Sequence, residues 1–318
     1  MKQSLILALS ILLPASCTET KNYELAYRIS EQDLIPEGIT YSEKNKYFYI
    51  SSILKTKIIQ IDSKTGKFGD FIPSSLYNRR FVGMMIDNKR HHLWACGNFR
   101  LDSTILSSVF KFNTETRELI KEYHFPDTST QMANDVVIDN NGNAYFTDSN
   151  NQHIYKVNIK TDSIELFFES EEIKHPNGIS ISPDNRYLYI ASFITGVRVL
   201  DIETKNILNG VNEFASRGLA GMKFYNNSVI GIQNYFEDLH EIKIVRFYLN
   251  ETLTKITGSE IIDQDNPYFD IPTTHVIIGD ELYCLATSSL NNVNWDKYEI
   301  EDPSKLNDVK ILKYKLKN

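Results

Sequence analysis

The polar residues best placed for chemistry recur at the starts of short apolar strands. They are Glu37 in PEGITY, Asn134 in NDVVID and Asn177 in PNGISI. The sequence contains no G-x-S-x-G turn, glycine-rich phosphate loop or H-E-x-x-H pair, so serine-hydrolase, nucleotide-binding and zincin chemistry have no support. Cys96 and Cys284 stand outside C-x-x-C and C-x-x-H spacings, which argues against zinc or redox chemistry and favours two small buried side chains.

The composition is that of a globular protein. Of 318 residues, 42% are hydrophobic and 24% are charged, and 34 Lys and Arg stand against 41 Asp and Glu, which gives a formal net charge of −7. The basic residues are scattered, whereas phosphate binding needs a concentrated positive face, so we expect no nucleic-acid partner. Length alone leaves one large domain or two smaller ones open.

The elements that must position the polar residues belong to a unit that repeats six times. Each unit has a turn with a small residue, a short apolar strand, a turn rich in Asp, Asn or Gly, and an aromatic strand, usually followed by a third strand. Intervals of 45, 52, 43, 43 and 54 residues separate the equivalent positions, which are Gly38, Gly83, Asp135, Gly178, Gly221 and His275. These intervals have the length of propeller blades, and the strands alternate apolar and polar residues with a period of two. Together they predict an all-β fold, a six-bladed β-propeller over residues 30–318, with a β-sandwich as the competing fold.

The N-terminus predicts export. A positive start, an apolar run over residues 5–13 and small residues after it have the order of a signal peptide over residues 1–16, with a buried helix as the alternative. The run is too short to span a bilayer. Cys17 resembles the lipidated cysteine of a bacterial lipobox, with residues 17–29 as a tether, so we expect anchoring to the cell envelope through the lipid alone. Pro14 stands where Leu is usual, which leaves a secreted or periplasmic protein as the alternative.

Three longer stretches resemble the repeat motifs of the SMP-30/gluconolactonase family of six-bladed propellers, whose wider superfamily includes paraoxonase-like lactonases. They are PEGITYSEKNKYFYISS, NDVVIDNNGNAYFTDS and PNGISISPDNRYLYIAS. The resemblance implies a divalent cation at the top of the central tunnel, with calcium expected first and zinc, manganese or magnesium as alternatives. It also implies Glu37, Asn134 and Asn177 as the metal ligands. The family's fifth-blade Asp-Gly pair, which supplies a ligand and a candidate base, is Ala220-Gly221 here, so the expected metal site is weakened.

Four further polar residues are candidates near the tunnel. His275, at the start of the sixth inner strand, is the expected base or extra ligand, and a histidine bonded to backbone is its alternative. Asp135 would orient the metal shell, bind a second cation or form a turn. Asp148 follows a strand and has the position of a loop-capping residue, while Asn234 could supply an amide oxygen. The aromatic residues expected either at a substrate rim or in blade packing are Tyr235, Phe236 and Trp295.

Two functions follow from these features. The first is a metal-dependent hydrolase of a lactone or ester, in which His275 serves as the base. The second is a non-catalytic propeller that binds a small molecule, glycan or protein at the cell envelope, and it rests on the loss of the fifth-blade carboxylate at Ala220. For both, we expect a monomer with a small-molecule substrate or ligand at the top face.

Overall fold

Six antiparallel sheets surround a central axis and form a six-bladed β-propeller, which confirms the predicted fold. The structure is a computed structural model that describes residues 22–101, 103–126, 130–234 and 241–317. The predicted signal peptide, Cys17, Tyr235 and Phe236 lie outside the described residues. Within those residues, no helix is long and apolar enough to span a membrane.

The first three blades each contain four strands, and an earlier strand, β1 (Tyr23–Ile29), belongs to the last blade. Blade 1 consists of β2 (Pro36–Ser42), β3 (Tyr47–Ser52), β4 (Ile58–Asp62) and β5 (Phe68–Ile72). Blade 2 consists of β6 (Arg80–Asp87), β7 (His92–Leu101), β8 (Thr104–Asn113) and β9 (Leu119–His124). Blade 3 consists of β10 (Ala133–Ile138), β11 (Ala144–Asp148), β12 (His153–Asn158) and β13 (Ser163–Glu169).

The remaining blades vary more in their construction. Blade 4 consists of β14 (Pro176–Ile181), β15 (Tyr187–Ser192) and β16 (Gly196–Asp201). Blade 5 consists of β17 (Leu219–Tyr225), β18 (Ser228–Gln233), β19 (Lys243–Leu249) and β20 (Ile256–Gln264). Blade 6 contains β21 (His275–Ile278) and β22 (Glu281–Leu285), then the small hairpin of β23 (Val293–Asn294) and β24 (Glu299–Ile300), and finally β25 (Val309–Lys315). Short 3₁₀ helices cover Gln32–Leu34, Glu171–Ile173, Glu213–Ala215, Leu290–Asn292 and Pro303–Lys305.

Aromatic side chains on the second and outer strands fill the space between blades. The Phe48 ring lies 4.9 Å from that of Tyr283 across blades 1 and 6, and the Trp94 ring lies 6.0 Å from that of Phe146 across blades 2 and 3. These strands carry apolar residues on both faces because each blade packs against a neighbour on either side. Cys96 and Cys284 are buried and unpaired, as predicted.

The last blade is closed by the N-terminal strand of the chain. β1 pairs antiparallel with β25, so the sheet has the order β1-β25-β22-β21. The Tyr27 hydroxyl donates a hydrogen bond of 2.8 Å to the Ser63 carbonyl of blade 1, and Ile29 is buried. The predicted tether over residues 17–29 is therefore too long at its C-terminal end, since Tyr23–Ile29 covers the otherwise open edge of β25.

A β-bulge falls at the start of each of the first five inner strands. The pairing register shifts between Pro36 and Ile39 in blade 1, and the same shift recurs at the corresponding places in blades 2 to 5. A bulge leaves one residue out of the ladder and re-aims its side chain. The bulged residues of blades 1, 3 and 4 are those predicted to carry chemistry, and in full the set is Glu37, Val82, Asn134, Asn177 and Ala220.

Glycine follows most of the bulged residues because neighbouring blades meet there. A side chain at Gly38 would collide with the Val82 carbonyl oxygen, and one at Gly83 would collide with the Asn134 carbonyl oxygen. Blade 3 has Asp135 at this position. The inner strands therefore form a closed ring whose backbones touch from one blade to the next.

Candidate functional site

A cavity of about 370 Å³ opens over the inner strands of blades 1 to 4, and the blade 6 hairpin covers part of it. This volume lies within the range of small-molecule sites. The three predicted ligand residues, Glu37, Asn134 and Asn177, all line the cavity. The other lining residues are Ile53, Arg80, Val82, Asn98, Arg100, Ile105, Met132, His175, Leu290, Trp295 and Tyr298.

The surroundings of Glu37 disfavour the ionised form of its carboxyl group. Burial and, to a smaller extent, the nearby Asp135 carboxylate raise its pKa to about 8, while Lys223 acts in the opposite direction. Within the part of the chain that the structure describes, no residue donates a hydrogen bond to Glu37 or pairs with it. A carboxylate without a partner in such surroundings is costly unless a cation or a proton neutralises it.

Asn134 and Asn177 present their amides to the same cavity. Neither side chain makes a hydrogen bond to any described residue. The backbone at Asn177, in contrast, is held in place: the Thr147 hydroxyl donates to the Asn177 carbonyl at 2.7 Å, and the Ser149 hydroxyl donates to the Pro176 carbonyl at 2.6 Å. The Asn177 amide is thus pre-positioned, with its oxygen available to a ligand.

A layer of polar side chains supports these positions from behind. The Asn98 amide donates to the Ala133 carbonyl at 2.9 Å, and its oxygen accepts from the Ala133 N–H at 3.1 Å. The Ser107 hydroxyl donates to the Asn98 oxygen at 2.7 Å. These bonds fix the residue before Asn134, in the way that outer-shell bonds orient the ligands of a metal.

The donor set fits a hard divalent cation. One carboxylate and two amide oxygens are ligands that calcium accepts, and calcium completes its shell of six to eight oxygens with water or substrate. Among the described residues, no three His, Cys, Asp or Glu side chains cluster so that they could hold a metal ion, and the candidate site therefore rests on one carboxylate and two amides. Glu37 would supply the negative charge, and a cation beside it would stabilise its ionised form.

Asp135 and Asp148 have structural roles. The Asp135 carboxylate accepts from the Val136 N–H at 2.9 Å, the Ile179 N–H at 3.2 Å and the Lys223 ammonium at 3.1 Å. Asp148 is fully buried and accepts from the Met132 N–H at 2.9 Å and from neighbouring loop residues. The oxygens of both residues are occupied. Asp148 therefore agrees with the loop-capping interpretation, whereas Asp135 lies within a strand and connects blade 3 to blades 4 and 5 rather than forming a turn.

His275 lies apart from the three ligand candidates. It does not line the cavity, it is fully buried, and neither ring nitrogen has a hydrogen-bond partner among the described residues. Burial, with a smaller contribution from Lys223, lowers its pKa to about 3. A group that accepts a proton so weakly is poorly suited to the predicted role of base. The alternative prediction, a hydrogen bond from His275 to the backbone, is not seen among the described residues either.

The register of the sixth blade explains this difference. The Asn234 amide donates to the Pro272 carbonyl at 2.9 Å, as Asn98 does to Ala133 in blade 3. The sixth-blade counterpart of Asn134 is therefore Thr273, two residues before His275. The Thr273 hydroxyl is buried without a partner in the described part of the chain, and so is the Asn234 oxygen, because Pro272 has no N–H to donate.

Several residues of the cavity were not predicted from the sequence. His175 lines the cavity two residues before Asn177, and burial lowers its pKa, while a hydrogen bond to the Ser149 backbone opposes this shift. It is therefore an uncharged imidazole at neutral pH, open to the cavity. The hairpin residue Tyr298 lies under the Arg80 guanidinium at 3.7 Å. Only their position in the repeat could have indicated these two residues as part of the site, since His175 and Arg80 each lie two residues before a bulged residue.

A cavity of about 390 Å³ lies elsewhere, at the rim between blades 5 and 6. Arg246 on its wall already donates to the Ser228 hydroxyl and the Lys317 carbonyl, and Tyr314 donates to Asp263. Its polar groups are thus engaged within the protein. The slightly smaller cavity over the inner strands is the better candidate because Glu37, Asn134 and Asn177 converge on it, and their side chains have no hydrogen-bond partner among the described residues.

The family comparison agrees with the repeat pattern. The sequence profile of the SMP-30/Gluconolactonase/LRE-like region matches residues 35–217, more than half of the chain. The match covers blades 1 to 4 and ends before Ala220. No curated protein matches the sequence.

Solved structures share the fold at low sequence identity. A gluconolactonase from Xanthomonas campestris is 12% identical, with 93% of this chain and 88% of that chain covered and a TM-score of 0.59. Virginiamycin B lyase from Staphylococcus aureus is 17% identical, with 93% and 100% covered and a TM-score of 0.59. A PQQ-bound aldose sugar dehydrogenase from Streptomyces coelicolor is 12% identical, with 92% and 97% covered and a TM-score of 0.61. At these identities the likeness is one of fold.

Proposed function

The chain belongs to the SMP-30/gluconolactonase/LRE-like family, and from this premise we propose that it is a divalent-metal-dependent hydrolase of a lactone or ester. One observation carries the proposal. Three oxygen-bearing side chains without partners among the described residues converge on a single cavity, and one of them, Glu37, has a pKa raised to about 8. Such an arrangement is costly for the fold alone and is expected where a cation binds.

The proposed roles follow from the chemistry of the lining residues. Glu37, Asn134 and Asn177 would hold the cation, which supplies a positive charge that polarises an ester or lactone carbonyl. His175 replaces His275 as the base in this proposal, because it lines the cavity and is uncharged at neutral pH. It would accept the proton of the attacking water, an assistance of about 10²–10⁴-fold in typical enzymes.

A hydrolysis assay tests this function. The intact protein is incubated with a panel of lactones and carboxylic esters in calcium or in EDTA, beside Glu37→Gln and His175→Asn variants. We expect turnover that needs the metal, that Glu37→Gln abolishes and that His175→Asn lowers by about 100-fold. Equal rates for the wild type and both variants, or no turnover in calcium, zinc, manganese or magnesium, would remove the hydrolase proposal.

A second candidate function rests on Ala220. The position leaves the site with a single carboxylate, and a weak metal site is compatible with a propeller that binds a ligand without turning it over. The same assay separates the two functions, since a pure binding protein gives no turnover while still retaining a ligand in the cavity. For either function the proposed location is the cell envelope, on the basis of residues 1–17 of the sequence.

A further inference from the structure

We propose that the Arg80 side of the cavity binds the carboxylate of a small, otherwise apolar organic acid. This inference deepens the proposed function and rests on it in one respect, because it names the substrate class as an ester or lactone that carries a free carboxylate. The anion site itself depends on residues other than the metal ligands.

Arg80 is a guanidinium that the fold places at the cavity and leaves without an acceptor. It is half-buried, it lines the cavity, and it stacks on the Tyr298 ring at 3.7 Å. None of the described residues accepts a hydrogen bond from it or forms an ion pair with it. Stacking occupies the face of the guanidinium and leaves its edge, which carries the N–H donors, able to grip a carboxylate through two bonds.

Arg100 adds a second positive charge to the same wall. Its guanidinium donates to the Asp296 carbonyl at 3.0 Å and the Trp295 carbonyl at 3.4 Å, and it lies 5.5 Å from the Tyr298 ring. These bonds join β7 of blade 2 to the tip of the blade 6 hairpin. Arg100 thereby holds Tyr298 where it can support Arg80.

The balance of charge favours an anionic ligand. Of the described residues that line the cavity, Arg80 and Arg100 are positive, and Glu37 carries the one carboxyl group. Even with Glu37 ionised, these two guanidiniums leave the described lining with one excess positive charge, in a protein whose net charge is −7. A low-dielectric cavity strengthens this attraction beyond that of a surface arginine.

The rest of the wall indicates an apolar body for the ligand. Ile53, Val82, Ile105, Met132 and Leu290 line the cavity between its polar groups. A phosphate or sulfate alone would leave these side chains without contacts, whereas an aryl or alkyl carboxylate would cover them. The arrangement therefore selects an organic acid over an inorganic anion.

Binding of a matched pair of probes tests the anion site. Phenylbutyrate and its neutral isostere phenylbutyramide are titrated by calorimetry into the intact protein in EDTA, so that no metal takes part. We expect the acid to bind at least about 10-fold more tightly than the amide, a difference typical of a charge-assisted bidentate pair. Arg80→Gln should abolish this preference, and Arg80→Lys should retain part of it.

The control is Arg186→Gln, which removes another arginine stacked on a tyrosine, at 5.1 Å from the Tyr187 ring and away from the cavity. It should leave the preference intact. Thermal unfolding confirms that each variant folds, and Arg80→Glu should invert the preference towards phenylbutylamine. Equal binding of acid and amide, no binding of the acid, or an unchanged preference in Arg80→Gln would overturn the proposal.

The Glu37→Gln variant separates the test of the anion site from the test of the hydrolase. Glu37→Gln should lose metal-dependent turnover while it retains the preference for phenylbutyrate over phenylbutyramide. A preserved acid preference without any turnover would refute the hydrolase and keep the anion site. Turnover of neutral esters by a protein that does not prefer the acid would refute the anion site and keep the hydrolase.

Discussion

At the scale of single residues, the site combines groups that the fold alone does not explain. The side chains of Glu37, Asn134 and Asn177 lack partners among the described residues, while Asp135, next to Asn134 on the same strand, is fully bonded. Ala220 stands at the bulge of blade 5, where a carboxylate would give a cation a second negative charge. In the proposed site, very few side chains would therefore set the affinity for a divalent cation.

Replacing Ala220 by aspartate should strengthen calcium binding. A second carboxylate at the fifth bulge adds negative charge to the oxygen donors, and we expect the affinity to rise by at least about 10-fold. Calorimetry on the wild type and the Ala220→Asp variant measures the change, with Ala220→Asn as the uncharged control. A fall in affinity in Ala220→Asp would mean that the site is organised around a small residue at this position.

His275 should make the protein less stable in mild acid. Its pKa of about 3 in the folded state lies below the value of about 6.5 in an unfolded chain, so the unfolded state binds the proton more readily as the pH falls below 6.5. The contribution of His275 should therefore cost about 2 kcal/mol between pH 7 and pH 5. Denaturant unfolding at both pH values should show a smaller loss in His275→Gln than in the wild type. The exposed His124→Gln is the control, and equal losses in all three proteins would contradict the account.

At the scale of elements, the bulged starts of the inner strands position the site and the second strands brace them. Thr147 on β11 is the clearest case. Its hydroxyl accepts from the Asp135 N–H at 2.9 Å and donates to the Asn177 carbonyl at 2.7 Å, so one side chain connects the inner strands of blades 3 and 4. It is fully buried.

Removing this hydroxyl should loosen both strands. Thr147→Val keeps the shape but leaves the Asp135 N–H and the Asn177 carbonyl without a partner, which we expect to cost about 1–3 kcal/mol of unfolding free energy. Calcium affinity should fall several-fold because Asn177 is less well positioned. Thr147→Ser retains the hydroxyl and should stay close to the wild type in both measurements. A Val variant as stable as the Ser variant would show that the bridge has little weight.

The sequence could predict the inner-strand starts of blades 1, 3 and 4 because a local motif marks each of them. Glu-Gly, Asn-Asp and Asn-Gly reflect both the bulge and the close approach of the next blade. The sixth blade lacks such a motif, and counting intervals selected His275 as the counterpart of Asp135, where the structure has Thr274, the residue after Thr273. The correct register depends on the bond between Asn234 and Pro272, which joins two blades and leaves no local pattern.

At the scale of the whole molecule, the ring is closed by pairing between the two ends of the chain. β1 and β25 join residues almost a full chain length apart, and Ile29 packs with residues of blades 1 and 6. The Arg80 site has the same non-local character. Two arginines of blade 2 contact a hairpin inserted into blade 6, and no spacing in the sequence predicts that contact.

Weakening the closure should lower the stability of the entire propeller. Ile29→Ala removes a buried side chain next to blade 1, and we expect a loss of about 2–5 kcal/mol in the free energy of unfolding. Leu25→Ala, on the same strand but with a side chain 40% exposed, should change it by less than about 1 kcal/mol. Denaturant unfolding of both variants provides the comparison. Similar small effects would mean that β1 contributes little to closure.

We propose that Glu37 and the two asparagines bind a divalent cation, and a calcium titration by calorimetry measures this binding. The intact protein is titrated beside Glu37→Gln and beside Glu203→Gln, an exposed control. We expect calcium to bind to the wild type and to the control, and not to Glu37→Gln. Binding that persists in Glu37→Gln, or no binding of calcium, zinc, manganese or magnesium by the wild type, would contradict the proposed cation site.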